Sequence, residues 1–320
     1  MQGNYRSEGS ESFEPIVDIV IPYYDGFDYL REAVESVKAQ TFTAFRLLIL
    51  DDATPGNQAS NYIHSLNDTR ITYLANPINL GLPGNFEKAR TSIASKYGVI
   101  LGQDDRLLPR YLERMILAAD QHPGAALIQP KVQVIDAGGE STFPLPDKIK
   151  DVLRKLSTRF AKSISTDKDS PSTYLVESKL AISMIMLGDF LYFPTIMWRS
   201  EMLVRHPFRQ DLPVTLDIDL IVNLLISEGD LLLVEEPLAQ YRRHDQSRSE
   251  KPELKLSRLR EESALYEELR TMLKARGYKI QAKWAKLRLS TRLYALHEML
   301  LAILSKDFQE TWDFLMLGTK

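Results

Sequence analysis

The sequence predicts an α/β domain with a mostly parallel central sheet and helices on both faces, followed by a helical C-terminal segment. Three observations predict it. Short apolar, β-branched runs alternate with amphipathic helical stretches from Val17 onward; the runs repeatedly end in polar residues rich in carboxylates; and from Glu253 nearly everything is helix-forming. Strands joined by helical crossovers run parallel, so their carboxyl ends share one edge, where ligands of open α/β sheets bind.

Val17–Pro22 is the first strand, stopped by Pro22. Tyr23–Gly26 is the loop before a helix over about Phe27–Ala39, which carries Leu30, Ala33, Val34 and Val37 on one face. Arg46–Leu50 is the second strand and ends in Asp51 and Asp52. A polar helix Ala59–Leu66, a short strand Ile71–Leu74, a loop Asn76–Gly84 and a helix Asn85–Ser95 lead to the strand at Tyr97. There Val99, Ile100 and Leu101 give way to Asp104 and Asp105, and Pro109 opens the next helix where a missing N–H costs nothing. Ala125–Gln129 and Val132–Ile135 read as two strands separated by Pro130. Beyond Gly138 and Gly139 the pattern changes: Lys148–Lys168 is basic and helical in its middle, and Thr166–Thr173 reads as a mobile loop. Leu180–Trp198 is apolar but interrupted by Gly188, Asp189 and Pro194, so it reads as buried core and not as a membrane span. Asp217–Ser227 is a helix, Leu231–Val234 a strand, and Tyr241–His244 the exit from the domain.

Composition bounds the function loosely. The 320 residues carry a net charge of −3, which gives no global attraction to nucleic acid. There is no cysteine, so disulfides, thiolate chemistry and cysteine-ligated zinc are excluded, and cytoplasm is the default compartment. Residues 1–14 are polar, with Arg6, Glu8, Glu11 and Glu14 and no apolar core; they read as a disordered tail and not as a signal peptide.

Three strand ends offer polar groups to one edge: Tyr24 and Asp25, Asp51 and Asp52, Asp104 and Asp105. An aromatic ring with a carboxylate suits a nucleobase, and a second carboxylate pair suits a divalent cation that neutralises a diphosphate. Each pair taken singly is also an ordinary acidic turn. The glycines of Gly81-Leu82-Pro83-Gly84 are misplaced for the dinucleotide fingerprint, which argues against a nicotinamide enzyme. Tyr23-Tyr24-Asp25 is also not the basic, glycine-rich phosphate loop that a nucleotidyltransferase would want after its first strand.

Ile21-Pro22-Tyr23-Tyr24-Asp25, the helix Leu30–Thr41, Leu50-Asp51-Asp52-Ala53-Thr54, Asn79-Leu80-Gly81-Leu82 and the Asp104-Asp105 strand end resemble, in order and spacing, the amino-terminal half of the inverting family 2 glycosyltransferases. Gly188-Asp189-Phe190, Met197-Trp198-Arg199, Leu216-Asp217-Ile218-Asp219 and Tyr241–Ser247 continue the resemblance to about Ser249. The resemblance implies a GT-A (Rossmann-like) fold over residues 15–249, with a nucleotide-sugar-binding half at 15–139, an acceptor-binding half at 140–249, and a C-terminal helical subdomain at 250–320. It further implies a nucleotide-diphosphate sugar donor, with a UDP-sugar the first choice, a divalent metal (Mn2+ or Mg2+), and transfer with inversion to a hydroxyl of a glycan or lipid-linked glycan. Carried onto this chain, Pro22, Tyr24, Asp25, Asp52, Gly81 and Asp104 would line the nucleotide. Asp105, Asp104 and His244 would hold the metal, and Arg243 and His244 would meet the diphosphate. Asp217 would be the general base, with Trp198, Asp189 and Asp219 on the acceptor side. Two positions depart from the pattern: Gly102 stands where relatives show the first acid of Asp-x-Asp-Asp, and Leu216 where they often have Glu. A non-catalytic nucleotide-sugar or glycan-binding relative is therefore the alternative.

In the C-terminal segment, Arg270, Lys274, Arg276, Lys279, Lys283, Lys286, Arg288 and Arg292 form a basic run without acids, beside Leu289, Leu293, Leu296, Leu300 and Ile303 at helical spacing. Such faces suit an anionic membrane surface and a peripheral location at the inner face of the cell membrane. A helix packed on the main domain with a solvated basic face, or a homodimer contact, is the plainer reading and the favoured one. No nucleic-acid motif is present.

Overall fold

The computed structural model describes residues 14–163, 172–244, 252–289, 291–296 and 299. Residues 1–13 of the expected tail, most of the Thr166–Thr173 loop, Asp245–Ser249, Leu300 and Ile303 lie outside them.

The α/β architecture with helices on both faces is as the sequence predicts. In chain order the elements to the first crossover are β1 (Val17–Tyr23), α1 (Phe27–Lys38), β2 (Phe45–Asp51), α2 (Gln58–Ser65), β3 (Ile71–Ala75), α3 (Gly81–Ser92) and β4 (Tyr97–Ile100). There follow β5 (Arg106–Leu107), α4 (Tyr111–Gln121), β6 (Ala125–Ile135), α5 (Leu145–Phe160), β7 (Lys162–Ser163), β8 (Thr173–Val176) and α6 (Ser178–Leu187). The last are β9 (Met197–Arg199), α7 (Ser200–Leu203), α8 (Leu216–Ser227), β10 (Asp230–Arg242), α9 (Pro252–Ala275) and α10 (Lys279–Leu287). One sheet runs β3-β2-β1-β4-β9-β6-β10-β8-β7, with β5 also paired to β10. β1, β2, β3 and β4 are mutually parallel, and β6 and β10 pair in parallel. β9 runs antiparallel to both β4 and β6, which gives the two parallel blocks the same direction.

The period of two along β1 divides the core. Val17, Ile19, Ile21 and Tyr23 join α1 and α4 on one face through Leu30, Val34, Leu112 and Met115. Val20 points to the other face, with Leu48, Leu50, Ile100 and residues of α6, α8 and α9. α9 and α10 are part of that second core: Leu265, Tyr266, Leu269, Leu273, Ala282 and Ala285 are buried in it. This packing agrees with the plainer reading of the C-terminal helices. Among the described residues no helix is long and apolar enough to cross a membrane.

Three local expectations are corrected and one strand is added. The loop Asn76–Gly84 ends early, because α3 begins at Gly81: Asn79 accepts the Gly81 N–H at 2.9 Å and Asp52 accepts the Leu80 N–H at 2.7 Å, so donors at the helix start are satisfied. Pro83 fits in the first turn, where no N–H is required. β6 runs straight through Pro130, which lies beyond the two residues paired with β9 and beside the irregular Val234–Pro237 pairing of β10. β10 extends to Arg242, so Tyr241 and Arg242 belong to the sheet. Met197–Arg199 is itself a strand.

The sheet's opposite edge is tied by Asp18, which is fully buried. Its carboxylate accepts both Arg46 nitrogens at 2.9 Å, the Ala94 and Ser95 N–H groups at 2.7 and 2.9 Å, and the Ser95 hydroxyl at 2.8 Å. Burial pushes this carboxyl up, but the bonds to Arg46, Ala94 and Ser95 outweigh it and hold it below the usual range. Asp18→Ala should cost about 3–5 kcal/mol, because it strands these donors. In urea titrations, the gap between parent and variant should be full above about pH 4 and shrink as pH falls below it.

Candidate active site

Because the parallel strands share one direction, the chain segments after β1, β2, β3, β4, β6 and β10 emerge at a single edge. The antiparallel β9 begins there, so the preceding Asp189–Thr195 segment lies at the same edge. α8 leads back to the start of β10 at the opposite edge, so its N-terminus, with Asp217, is at the carboxyl edge as well.

The β1 end is built by Gln103. Its Oε1 accepts the Tyr24 N–H at 2.9 Å and its Nε2 donates to the Asp25 carbonyl at 2.7 Å, which holds the exposed Tyr24 ring at the rim. Asp25 takes positive φ and accepts the Gly26 N–H at 2.7 Å. Pro22 is buried within β1 beneath them. Asp51 and Asp52 are buried too. Asp51 accepts the Thr54 N–H at 2.7 Å and the Tyr73 hydroxyl, and Asp52 Oδ1 accepts Asn76 Nδ2 at 2.8 Å beside its bond to Leu80. Asn85 Nδ2 donates to the Leu50 carbonyl and its Oδ1 accepts from Asn76. Asp52 thus joins the end of β2 to the start of α3, where Gly81 lies at positive φ with open space above it.

After β4 the two acids part. Asp104 is a quarter exposed, and its Oδ2 accepts from His244 Nε2 at 2.9 Å. Asp105 is fully buried: Oδ1 accepts the Arg242 N–H at 2.9 Å, Oδ2 has no partner, and burial together with the Asp104 charge holds its carboxyl well above the usual range. Asp105, expected beside Asp104 as a metal ligand, keeps its unpartnered Oδ2 close against Gly102, in the space that Asp104 Oδ1 also borders. His244 Nδ1 is also buried without a partner, and the ring lies 4.8 Å from that of Tyr29. Among the described residues no group of three or more His, Asp and Glu stands ready to hold a metal ion. The Asp104 and His244 donors nevertheless fit one: bonds of about 2.1 Å at a right angle put two ligand atoms about 3 Å apart, and Mg2+-type sites commonly draw one or two carboxylates plus substrate phosphates. Arg243 is engaged in a different pair, donating to the buried Asp147 carboxylate at 2.9 and 3.1 Å.

A second acidic centre stands on α8. Leu216, Ile218, Leu220, Ile221 and Val222 bury this helix, so its first turn is fixed in place. Glu261 of α9 fixes it further, accepting the Val214 and Thr215 N–H groups and the Thr215 hydroxyl at 2.7–2.9 Å. Asp217 accepts the Ile218 N–H at 2.9 Å; burial, then the nearby Asp189 charge, pushes its carboxyl up to about 6. Asp189 accepts from Lys150 Nζ at 2.9 Å. Asp219 departs from the acceptor-side expectation: two residues along a helix it points away from Asp217 and lies 3.9 Å from Arg209. Trp198 departs from it as well, being fully buried in β9 against Phe193 and out of reach of any acceptor.

Sequence reasoning missed Gln103, Lys150, Asp147 and Glu261. Only Gln103, at a strand end, carried a local signal; the others come from elements remote in the chain.

The fold is an α/β domain whose strand ends gather carboxylates at one edge. Residues 18–169, just under half of the chain, match the family model described as Glycosyl transferase family 2. It is 25% identical over 235 residues to an uncharacterized glycosyltransferase of Methanocaldococcus jannaschii, covering 72% of each chain. It is 25% identical over 150 residues to the O-antigen biosynthesis protein RfbC of Myxococcus xanthus, covering 45% of this chain and 12% of that one. Among solved structures it is similar to S. aureus TarS 1-349 in complex with UDP-GlcNAc, with a TM-score of 0.55, 12% identity, and coverage of 92% of this chain and 89% of that one. At that identity the likeness shows the fold.

A Cβ at residue 102 would collide with Asp105 Oδ2 and come within 3.1 Å of Asp104 Oδ1. Gly102→Ala should therefore displace the buried carboxylate from the Arg242 N–H and lower stability by about 1–3 kcal/mol in urea unfolding. A parent-like midpoint would show that the carboxylate can move freely.

Proposed function

We propose that the protein transfers a sugar, with inversion, from a nucleotide-diphosphate sugar, a UDP-sugar first, to a hydroxyl of a glycan or lipid-linked glycan. The observation that carries the reading is the pair of carboxylate centres on one sheet edge: Asp104 with His244 in one, Asp217 with Asp189 in the other. The family match and the likeness to a UDP-GlcNAc complex support the donor class, and a relative named for O-antigen biosynthesis supports a glycan acceptor.

In this reading the nucleoside lies across Tyr24, Asp25 and the Asp52–Gly81 turn. Asp104 and His244, with Asp105 behind them, would hold a divalent metal, whose charge would offset that of the departing diphosphate. Single displacement needs a base on the face opposite the leaving group. Asp217 takes the acceptor hydroxyl's proton, and a carboxyl near 6 is a stronger base than an ordinary aspartate while still ionised at neutral pH. Asp189, held in place by Lys150, borders the same space and orients the acceptor.

Two outcomes test this. In calorimetric titration with UDP, GDP and dTDP, with and without manganese, UDP should bind only with the metal, and Asp104→Ala should abolish that binding. A folded protein that binds none of them would instead favour the non-catalytic relative, the reading to which Gly102 and Leu216 point. In donor hydrolysis, where water replaces the acceptor, Asp217→Asn should lower kcat about 10²–10⁴-fold with donor affinity retained. The parent rate should rise with pH through about 6, because the base acts deprotonated. A flat profile from pH 5 to 8 would remove Asp217 from this role.

A further inference from the structure

α5 is amphipathic in the opposite sense to an ordinary surface helix. Its inner face is mostly polar: Asp147, Arg154 and Ser157 are buried and Lys150 is half-buried, with Leu153 the residue of this helix packed against the apolar core. Its outer face carries Leu145 (64% exposed), Ile149 (49%), Val152 (55%), Leu156 (39%) and Phe160 (66%), spaced at four, three, four and four residues along one stripe. A soluble helix normally buries such a stripe.

The polar anchors prevent the helix from rolling over. Arg154 donates to Glu235 at 2.8 Å and to the carbonyls of Pro130 and Val234 at 3.2 and 2.9 Å. Asp147 holds Arg243 and accepts the Tyr192 hydroxyl at 2.9 Å, and Lys150 holds Asp189. Turning the stripe inward would expose or unpair every one of these groups, at a cost no apolar burial on a single helix face recovers. The stripe is therefore built to face outward.

We propose that this outer face docks on an anionic lipid bilayer. The charges beside the stripe decide between occupants. Lys148 and Arg159 are exposed among the apolar side chains, and Lys155 beside them is exposed and paired with Asp151 at 2.7 Å; the helix's other acid, Asp147, is buried on the inner face, so the outer flank keeps a net positive charge. A basic, apolar helix face is complementary to negative headgroups over an acyl boundary. Pairing with a second copy would set Lys148 and Arg159 of the two copies against each other, with the helix's one outer acid, Asp151, already held by Lys155. The inner face of the same helix reaches Asp189 and Arg243, so docking would bring the candidate acceptor edge toward the membrane surface.

The test is flotation of the full chain with vesicles of phosphatidylcholine containing one-quarter phosphatidylglycerol, and with pure phosphatidylcholine. The protein should float with the anionic vesicles, less as salt rises, and scarcely with the neutral ones. Ile149→Ser/Val152→Ser/Phe160→Ser should lower partitioning at least tenfold. Lys148→Glu/Lys155→Glu/Arg159→Glu should remove the preference for anionic lipid, at about fivefold per residue. All six side chains are exposed, so thermal melts should match the parent; should the triple serine variant melt early, Phe160→Ser alone gives the reading. No flotation of the parent overturns the proposal. So does flotation that the serine variant leaves unchanged, which would move the contact to another surface such as the C-terminal helices. A concentration-dependent dimer in sedimentation, abolished by the serine variant and without lipid binding, would make the stripe a contact between copies.

Discussion

The buried guanidinium of Arg242 is the interaction on which the carboxyl edge of the sheet depends. Its Nε donates to the Asp104 carbonyl at 2.9 Å, Nη1 to the carbonyls of Asp136 and Ala137 at 3.2 and 2.9 Å, and Nη2 to the Glu32 carboxylate. Its own N–H binds Asp105, and the Tyr29 ring covers it at 4.8 Å. One planar cation therefore ties α1, the turn after β4, the turn after β6 and the end of β10. A buried charge is tolerated only when paired and hydrogen-bonded, and this one is satisfied on every side. Glu32 also binds Arg106, which extends the clamp to β5.

That clamp explains why two adjacent aspartates have such different surroundings. Asp105 is drawn inward by the Arg242 N–H, into space that only a glycine at 102 leaves open, and Asp104 is left at the rim beside His244. The acids of the second centre are separated by the same kind of means: α8 is held by Glu261 at its start, while Asp189 is held by Lys150 from α5. Each centre thus takes a structural ion pair or hydrogen bond from an element far away in sequence, and in each a carboxylate is left available.

Much of the fold was legible because it is written in periodicity. Leu30, Ala33, Val34 and Val37 recur at helical spacing and are the residues that α1 buries; the short apolar runs up to Tyr97 are the parallel strands. The strand ends announced the acidic edge for the same reason. What periodicity does not carry was missed. The β9 insertion is three residues long and too short for a pattern. Pro130 normally interrupts a strand, and only the missing neighbour on that side makes it tolerable. Asp52 and Asn85 exchange roles with backbone groups over tens of residues, and the stripe on α5 was visible in sequence only as helix, since its inversion is a property of what packs against it. Within the site, Asp104, His244 and Asp217 lie at the edge that the sequence indicated, whereas Trp198 and Asp219 are turned elsewhere by strand and helix geometry.

The central claim is that the carboxyl edge holds a nucleotide-sugar between two acidic centres with separate tasks. A crystal structure of the protein soaked with UDP and manganese tests it most directly. The account predicts the nucleoside between Tyr24 and the Asp52–Gly81 turn, the cation on Asp104 and His244 with the diphosphate, and Asp217 facing the open space beyond, free of the metal. Nucleotide bound away from this edge, or a cation held by Asp217, would contradict it.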